Sequence, residues 1–166
     1  MNEELPAGRP VRDSKAEYSE LAMPNDANPL GSLFGGKVMA LVDLAGSIAA
    51  ARHARCSVVT ASVDNMNFLY PVRIGELVTC YSQVNRVFKT SMEVGVKVFV
   101  ENLKTGEIRH TSSAYLTFVA LGSDGQRVVL PPVIPATDDE KRRFEDALMR
   151  REFRLELKKR ALESWD

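Results

Sequence analysis

The chain has 166 residues, 22 basic and 22 acidic side chains, two histidines and 45% apolar content, enough for one soluble domain with a substantial core. A net charge of zero and a pI near 6.8 give no overall pull toward nucleic acid or an anionic membrane, so any such attraction must come from local clustering. Cys56 and Cys80 are too few for a disulfide framework and lack metal-ligand spacing, so both read as strand or core residues.

The N-terminus has no apolar leader-like run, and no stretch approaches the ~20 apolar residues that span a bilayer, which makes the cytoplasm the expected compartment. Residues 1–16, with Pro6, Gly8 and Pro10 among scattered charges, read as a flexible lead-in. A short strand is expected over 17–23, followed by an ordered loop, PNDANPLGSLFGG, dense in Pro, Asn and Gly.

From Gly36 to His53, Val38, Leu41, Val42, Ala45, Ile48 and Ala49 recur at helical spacing, with small residues between them. Such a helix is apolar on most sides and is expected to be buried, surrounded by sheet. Ser57–Phe68 then reads as a strand, punctuated by Pro71 and Gly75; further strands are expected over 75–88, 89–101 and 108–121. Met92, Val94, Val96, Val98 and Val100 alternate with Glu93, Gly95, Lys97, Phe99 and Glu101, the pattern of a strand with two unlike faces.

Thr137-Asp138-Asp139-Glu140 is a capping-box pattern that opens a long amphipathic helix, with Phe144, Leu148, Leu155 and Leu162 on one side. Residues 141–160 carry nine basic and four acidic side chains, whereas residues 1–28 carry three basic and six acidic, so the zero net charge conceals an acidic-to-basic gradient. The basic helix lacks a set of aromatic stacking residues and has interleaved acids, which favours a solvated or packing helix over one that binds RNA or membrane. The organisation is therefore a lead-in (1–16), an α+β domain (17–135) whose antiparallel sheet wraps a central helix, and a C-terminal helix (136–166).

Asp43 is the only ionisable side chain between Lys37 and Arg52. A carboxylate inside an apolar helix is costly unless it is hydrogen-bonded or used; it reads either as a polar stripe residue or as a general base or nucleophile in a dry cleft. Gly35 and Gly36 open that helix, where unpartnered N–H groups and the positive dipole end suit an oxyanion. The two features lie ~10–12 Å apart along the axis, too far for one small group to touch both directly. Asn28 is an Asx-turn former whose amide could alternatively fix a water or a carbonyl. His53 and His110 read as a helix-end residue and a strand-surface residue. No GxSxG, P-loop or GxGxxG is present, which removes the main support for serine-nucleophile, nucleoside-triphosphate and Rossmann readings.

Together, AMPNDANPLGSLFGGKVMALVDLAG, VTASVDNMNFLYPVRIGELV, KTSMEV and LPPVIPATDDEKRRFEDA resemble the cytosolic acyl-CoA thioester hydrolase family of the hot-dog fold, over roughly residues 17–150. The resemblance implies that Asp43 activates water or attacks the thioester. It implies that Asn28 positions water or thioester, that Gly35 with Gly36 donates N–H to the thioester oxygen, and that Thr60 adds a polar contact. It implies coenzyme A binding near Phe68, Pro71, Arg73 and Gly75 and near Arg86, Lys89, Thr90 and Ser91. The family often has glycine before the Thr-Ser of the second segment, where this chain has Phe88-Lys89. The resemblance further implies homo-oligomers, dimers that share sites and assemble as a hexameric trimer of dimers, with acyl-CoA as substrate and no metal or redox cofactor. A non-catalytic acyl-CoA-binding module is the alternative. A hydratase or dehydratase would need a catalytic histidine in the apolar part of the helix.

Overall fold

In the computed structural model, residues 6–163 are described. The element order is β1 (Arg9–Pro10), β2 (Ala16–Leu21), α1 (Gly35–Ala54), β3 (Ser57–Val63), β4 (Leu77–Phe88), β5 (Ser91–Asn102), β6 (Glu107–Leu121), β7 (Val133–Ile134) and α2 (Asp138–Glu163), with single 3-10 turns at Val11–Asp13 and Pro24–Asp26. Five strands form one antiparallel sheet in the order β2-β4-β5-β6-β3. This is the hot-dog arrangement: α1 touches every strand from β2 to β6, which requires the sheet to curl around it.

The core lies between α1 and the concave face. Val38, Leu41, Val42, Ala45 and Ala49 of the helix meet Val94, Val96 and Val98 of β5 and Leu116 and Phe118 of β6, all buried. Gly46 lets the layers close, since a Cβ there would stand 3.2 Å from the Phe118 ring. The helix is not covered all round, however. Gly36, Met39, Ala40 and Leu44 form an exposed stripe, with Asp43 half-buried on it. Five strands are too few to enclose a helix completely, so the sheet surrounds α1 except along this stripe.

Two further expectations change. The lead-in proves structured where it is described: Val11 and Ser14 are buried, and Arg9–Pro10 pairs in parallel with Val133–Ile134; residues 1–5 lie outside the described residues. The strand expected to reach Phe68 stops at Val63, because beyond Asp64, whose N–H bonds to Tyr115 O at 2.9 Å, the Asn-rich run leaves the ladder. A register shift between Thr60 and Ser62 already bends this edge strand.

α2 covers the other face of the sheet, against β4 and β5. Its capping box forms as expected, with Glu140 N–H bonding Thr137 Oγ1 and Thr137 N–H bonding Glu140 Oε2, both at 3.2 Å. The last three residues expected in this helix lie outside the described residues. Its basic residues are largely committed: Arg143 to Asp139, Arg150 to Glu93, Arg154 to Asp64 and Arg160 to Glu156. The helix is packed through Ala147, Phe144 and Arg150 in its first half and solvated in its second, where Leu155 and Leu162 of the expected apolar side are exposed.

Burial opposes ionisation of Glu140, but the N–H groups of Ala136 and Thr137 and the Lys15 ammonium outweigh it and hold the carboxyl below its ordinary value. The folded pKa is therefore depressed, so the stabilisation is present above the ordinary carboxylate range and lost as pH falls through the lowered value. The start of α2 should lose amide-exchange protection on acidification below about pH 4. Glu140→Gln should flatten that dependence, and an unchanged profile in that variant would remove Glu140 as its cause.

Candidate active site

The loop before α1 is closed on itself by Asn28. Its Oδ1 accepts from the N–H groups of Leu30 (3.0 Å) and Ser32 (3.2 Å), and its Nδ2 donates to Ser32 Oγ at 2.9 Å. The Asx-turn reading is thus realised, and the second Nδ2 hydrogen is the part of the amide left for another partner. Gly31 takes φ +76°, a conformation that glycine adopts without strain.

Two contacts hold this loop at the helix start. Phe34 N–H bonds Asp26 O at 3.1 Å, and Lys37 Nζ bridges Glu20 (2.6 Å) and Asp26 (3.4 Å). Lys37 and Ser32 are positioning residues that motif reading passed over. Ser32, four residues after Asn28, was the available signal.

Phe34, at the N-cap, offers no side-chain cap, and the N–H groups of Gly35 and Gly36 meet no acceptor among the described residues. These exposed, oriented donors stand at the positive end of a 20-residue helix. Gly35 forms one wall of a cleft of about 340 Å³ that is also lined by Ser32, Phe68, Leu69, Tyr70 and Pro71. A Cβ on Gly35 would lie 3.5 Å from the Phe68 ring, whereas one on Gly36 would meet open space.

Two turns along α1, Asp43 Oδ1 accepts a 2.6 Å hydrogen bond from Thr60 Oγ1 on the edge strand β3. Thr60 is exposed and Asp43 half-buried, so in the single chain this carboxylate faces the open stripe rather than a dry cleft. Its second oxygen has no partner among the described residues. The ~12 Å between Gly35 and Asp43 remains, because one straight helix carries both.

The expected coenzyme A contacts do not gather in one place. Phe68 and Pro71 line the cleft, and Arg73 lies beside Ser32, with which it forms an isolated antiparallel bridge. Gly75, at φ +89°, makes a turn by donating to Ala22 O at 2.8 Å. Arg86, Lys89, Thr90 and Ser91 lie at or just beyond the far end of β4, a strand whose Leu77–Phe88 length is roughly 36 Å.

Arg86 is already engaged by α2. Its guanidinium lies 3.9 Å from the Phe144 ring centroid and donates to Phe144 O at 3.0 Å, so one of its donors is committed within the chain. Thr90 O accepts from Ala120 N–H, and Ser91 Oγ donates to Phe88 O at 3.4 Å. Lys89 is the exposed cation of the hairpin and takes φ +55°, so this lysine occupies the left-handed backbone position that a glycine would favour.

Other candidates for chemistry are buried or engaged elsewhere. His53 ends α1 but is fully buried, its Nε2 bonded to Pro131 O at 2.8 Å. His110 is an exposed residue of β6, beside Ser113. Burial pushes the Cys80 thiol up to about 12, leaving it un-ionised near neutrality. Among the described residues no three His, Cys, Asp or Glu side chains gather as a metal site, and no helix is long and apolar enough to cross a membrane.

Comparison with known proteins adds a family. The thioesterase superfamily profile matches residues 30–107. An uncharacterized acyl-CoA thioester hydrolase of Bacillus subtilis is 44% identical over 82% of this chain and 80% of its own length. A hexameric acyl-CoA thioesterase superposes with a TM-score of 0.87 at 40% identity, covering 93% of this chain and 97% of its own. An acyl-CoA hydrolase of Staphylococcus aureus, solved with butyryl coenzyme A, coenzyme A and coenzyme A disulfide, superposes at 0.84 with 31% identity, over 94% of this chain and 97% of its own. Variants of that enzyme with an Asp, an Asn or a Thr changed to Ala have also been solved.

Proposed function

Because the chain belongs to the thioesterase superfamily, and within it to the acyl-CoA thioester hydrolases, we propose that it cleaves acyl-CoA with Asp43 as the reacting carboxylate. The observation that carries this assignment is the Thr60–Asp43 hydrogen bond, which fixes one carboxylate oxygen and leaves the other directed at the open stripe of α1. That free oxygen takes a proton from water, which attacks the thioester carbon, or attacks the carbon itself. The carbonyl oxygen gains negative charge in either route and is met by the N–H groups of Gly35 and Gly36. The C–S bond then breaks, and the thiolate leaves as coenzyme A after taking up a proton; in the direct route this leaves an anhydride on Asp43, which a water then hydrolyses to the free acid and the Asp43 carboxylate. A single turnover in ¹⁸O-water with hydroxylamine trapping separates the routes: label in Asp43 or a trapped acyl-enzyme marks direct attack, whereas label confined to the product acid with no trapped acyl-enzyme marks base catalysis.

Since one helix cannot bring both halves together, each site combines Asp43 and Thr60 of one copy with Asn28 and the glycine donors of another. Homo-oligomerisation is supported by hexameric acyl-CoA thioesterases among the structural neighbours, and we assign the assembly as a trimer of dimers. The apolar stripe of Met39 and Leu44 and the half-exposed Val59 and Val63 of β3 suit burial against the second copy. Phe68, Pro71 and Arg73 receive the coenzyme A near the thioester, while Lys89 of another protomer answers its distal phosphates, because the two ends of β4 are too far apart to serve one molecule. A cytoplasmic location accompanies this substrate.

Coenzyme A release from a panel running from acetyl- to palmitoyl-CoA tests the assignment. Turnover should be unaffected by EDTA, since the reacting groups are a carboxylate and backbone amides. Intact acyl-CoA after long incubation would instead favour a binding module.

A further inference from the structure

We propose that Arg154 of the C-terminal helix is a positioning residue for acyl-CoA, acting through Asp64 on the cleft wall that carries Phe68; this rests on the hydrolase reading. Asp64 is the first residue after β3, and both its carboxylate oxygens accept from Arg154 Nη1 at 2.9 Å. Its N–H anchors to Tyr115 O at 2.9 Å, and five residues later Leu69 N–H anchors to Thr111 O at 3.0 Å. Between these anchors, residues 65–68 donate no backbone hydrogen bond among the described residues. That span, held by Met66 packed against the core, ends in Phe68, whose ring faces Gly35 at the helix start. Four residues before Asp64 stands Thr60, the partner of Asp43. Asp64 is therefore the joint between the strand that holds the carboxylate and the span that walls the cleft.

The helix does not need this pair to stay in place. One turn earlier, Arg150 is bound to the fully buried Glu93, and Arg86 stacks on Phe144 at the other end of the contact. Phe153, Arg154 and Leu157 border a cleft of about 380 Å³ together with Asp64 and Asn65, so α2 reaches the joint directly. Both members of the pair are about one-fifth exposed, at 21% each. Breaking the pair therefore also removes some stability, which the melting curves read apart from the kinetics. What the pair fixes is the direction in which the 65–68 span leaves the sheet.

The test is steady-state kinetics of the full chain with the best substrate of the acyl-CoA panel, alongside melting curves. Arg154→Met should raise KM about 10-fold while kcat stays within about 3-fold, because a displaced wall weakens substrate binding without touching the reacting groups. Asp64→Asn should match it and carries the test should the first variant not fold. Arg154→Lys should recover at least half of the loss on a logarithmic scale, since an ammonium keeps the charge without the guanidinium's fixed geometry. A wild-type KM in both Arg154→Met and Asp64→Asn, a loss confined to kcat, or a lysine variant no better than methionine overturns the proposal. A wild-type chain that releases no coenzyme A overturns the hydrolase reading instead.

Discussion

Asp43→Asn should abolish turnover, lowering kcat by about 10³-fold or more, while the protein remains folded and oligomeric. Asparagine is the sharper substitution because its Oδ1 can still accept the hydrogen bond from Thr60, so the Asp43–Thr60 connection between α1 and β3 survives. What disappears is the free carboxylate oxygen, and with it the ability to take a proton or to attack carbon. Asp43 sits on a half-open stripe rather than in the packed layer, so the fold should tolerate the change. A variant that releases coenzyme A at the wild-type rate would remove Asp43 from the chemistry. A variant that loses activity together with its oligomeric state in size-exclusion chromatography would make the residue structural. Thr60→Ala should fall between the two extremes, because it frees the carboxylate to rotate without removing it.

Arg150→Ala should be the most damaging change outside the site, costing about 3–5 kcal/mol of stability in urea denaturation at fixed protein concentration. Glu93 is fully buried, and it accepts from Arg150 Nη2 at 2.8 Å, from Arg150 Nε at 3.1 Å and from Asn85 Nδ2 at 3.0 Å. The guanidinium also lies 3.7 Å from the Tyr115 ring centroid, so truncation removes a stacked surface as well as a charge. The Asn85 amide alone would be left to face a buried carboxylate. Replacing both partners by methionine should recover only part of the loss, because the apolar pair carries no desolvation cost but the buried Asn85 amide loses its acceptor. Arg142, whose ion pairs with Asp139 and Asp146 are exposed, should tolerate alanine with no measurable loss. A loss below about 1 kcal/mol for Arg150→Ala would show that Glu93 finds water or another donor.

The contrast between Glu93 and Asp43 shows what could be read from the chain and what could not. The alternation through β5 correctly divides Met92, Val94, Val96, Val98 and Val100 from Glu93, Gly95 and Lys97, because a period of two depends only on local backbone geometry. It would place Glu93 in solvent. Only the docking of α2, whose relevant residue is 57 positions away, makes that carboxylate a buried one. The capping box and the β4–β5 hairpin were legible for the same local reason. The β1–β7 pair was not, since two-residue strands more than 120 residues apart leave no periodic trace.

The site divides along the same line. Asp43 stood out as a lone carboxylate in an apolar helix, and the glycine pair as a helix start without a cap; both are local facts. That Thr60 holds Asp43 depends on β3 returning beside α1 as an edge strand. That Arg86 is taken up by Phe144 depends on where α2 lands, which the charge pattern of residues 141–160 does not reveal.

The strand order also has a kinetic side. β4, β5 and β6 follow one another through tight turns, with Phe88 opposite Ser91 and Asn102 opposite Glu107, so the centre of the sheet closes through short loops. The two edges do not: β2 reaches β4 by pairing Leu21 with Leu77, and β3 reaches β6 by pairing Val63 with Leu116. Loop-closure entropy therefore falls on the edges, and contact order places them late in folding and early in local opening. The strand that carries Thr60 is one of those edges. The last part of the sheet to zip up is then the part that secures the carboxylate, so a newly made chain gains its core before it gains its chemistry.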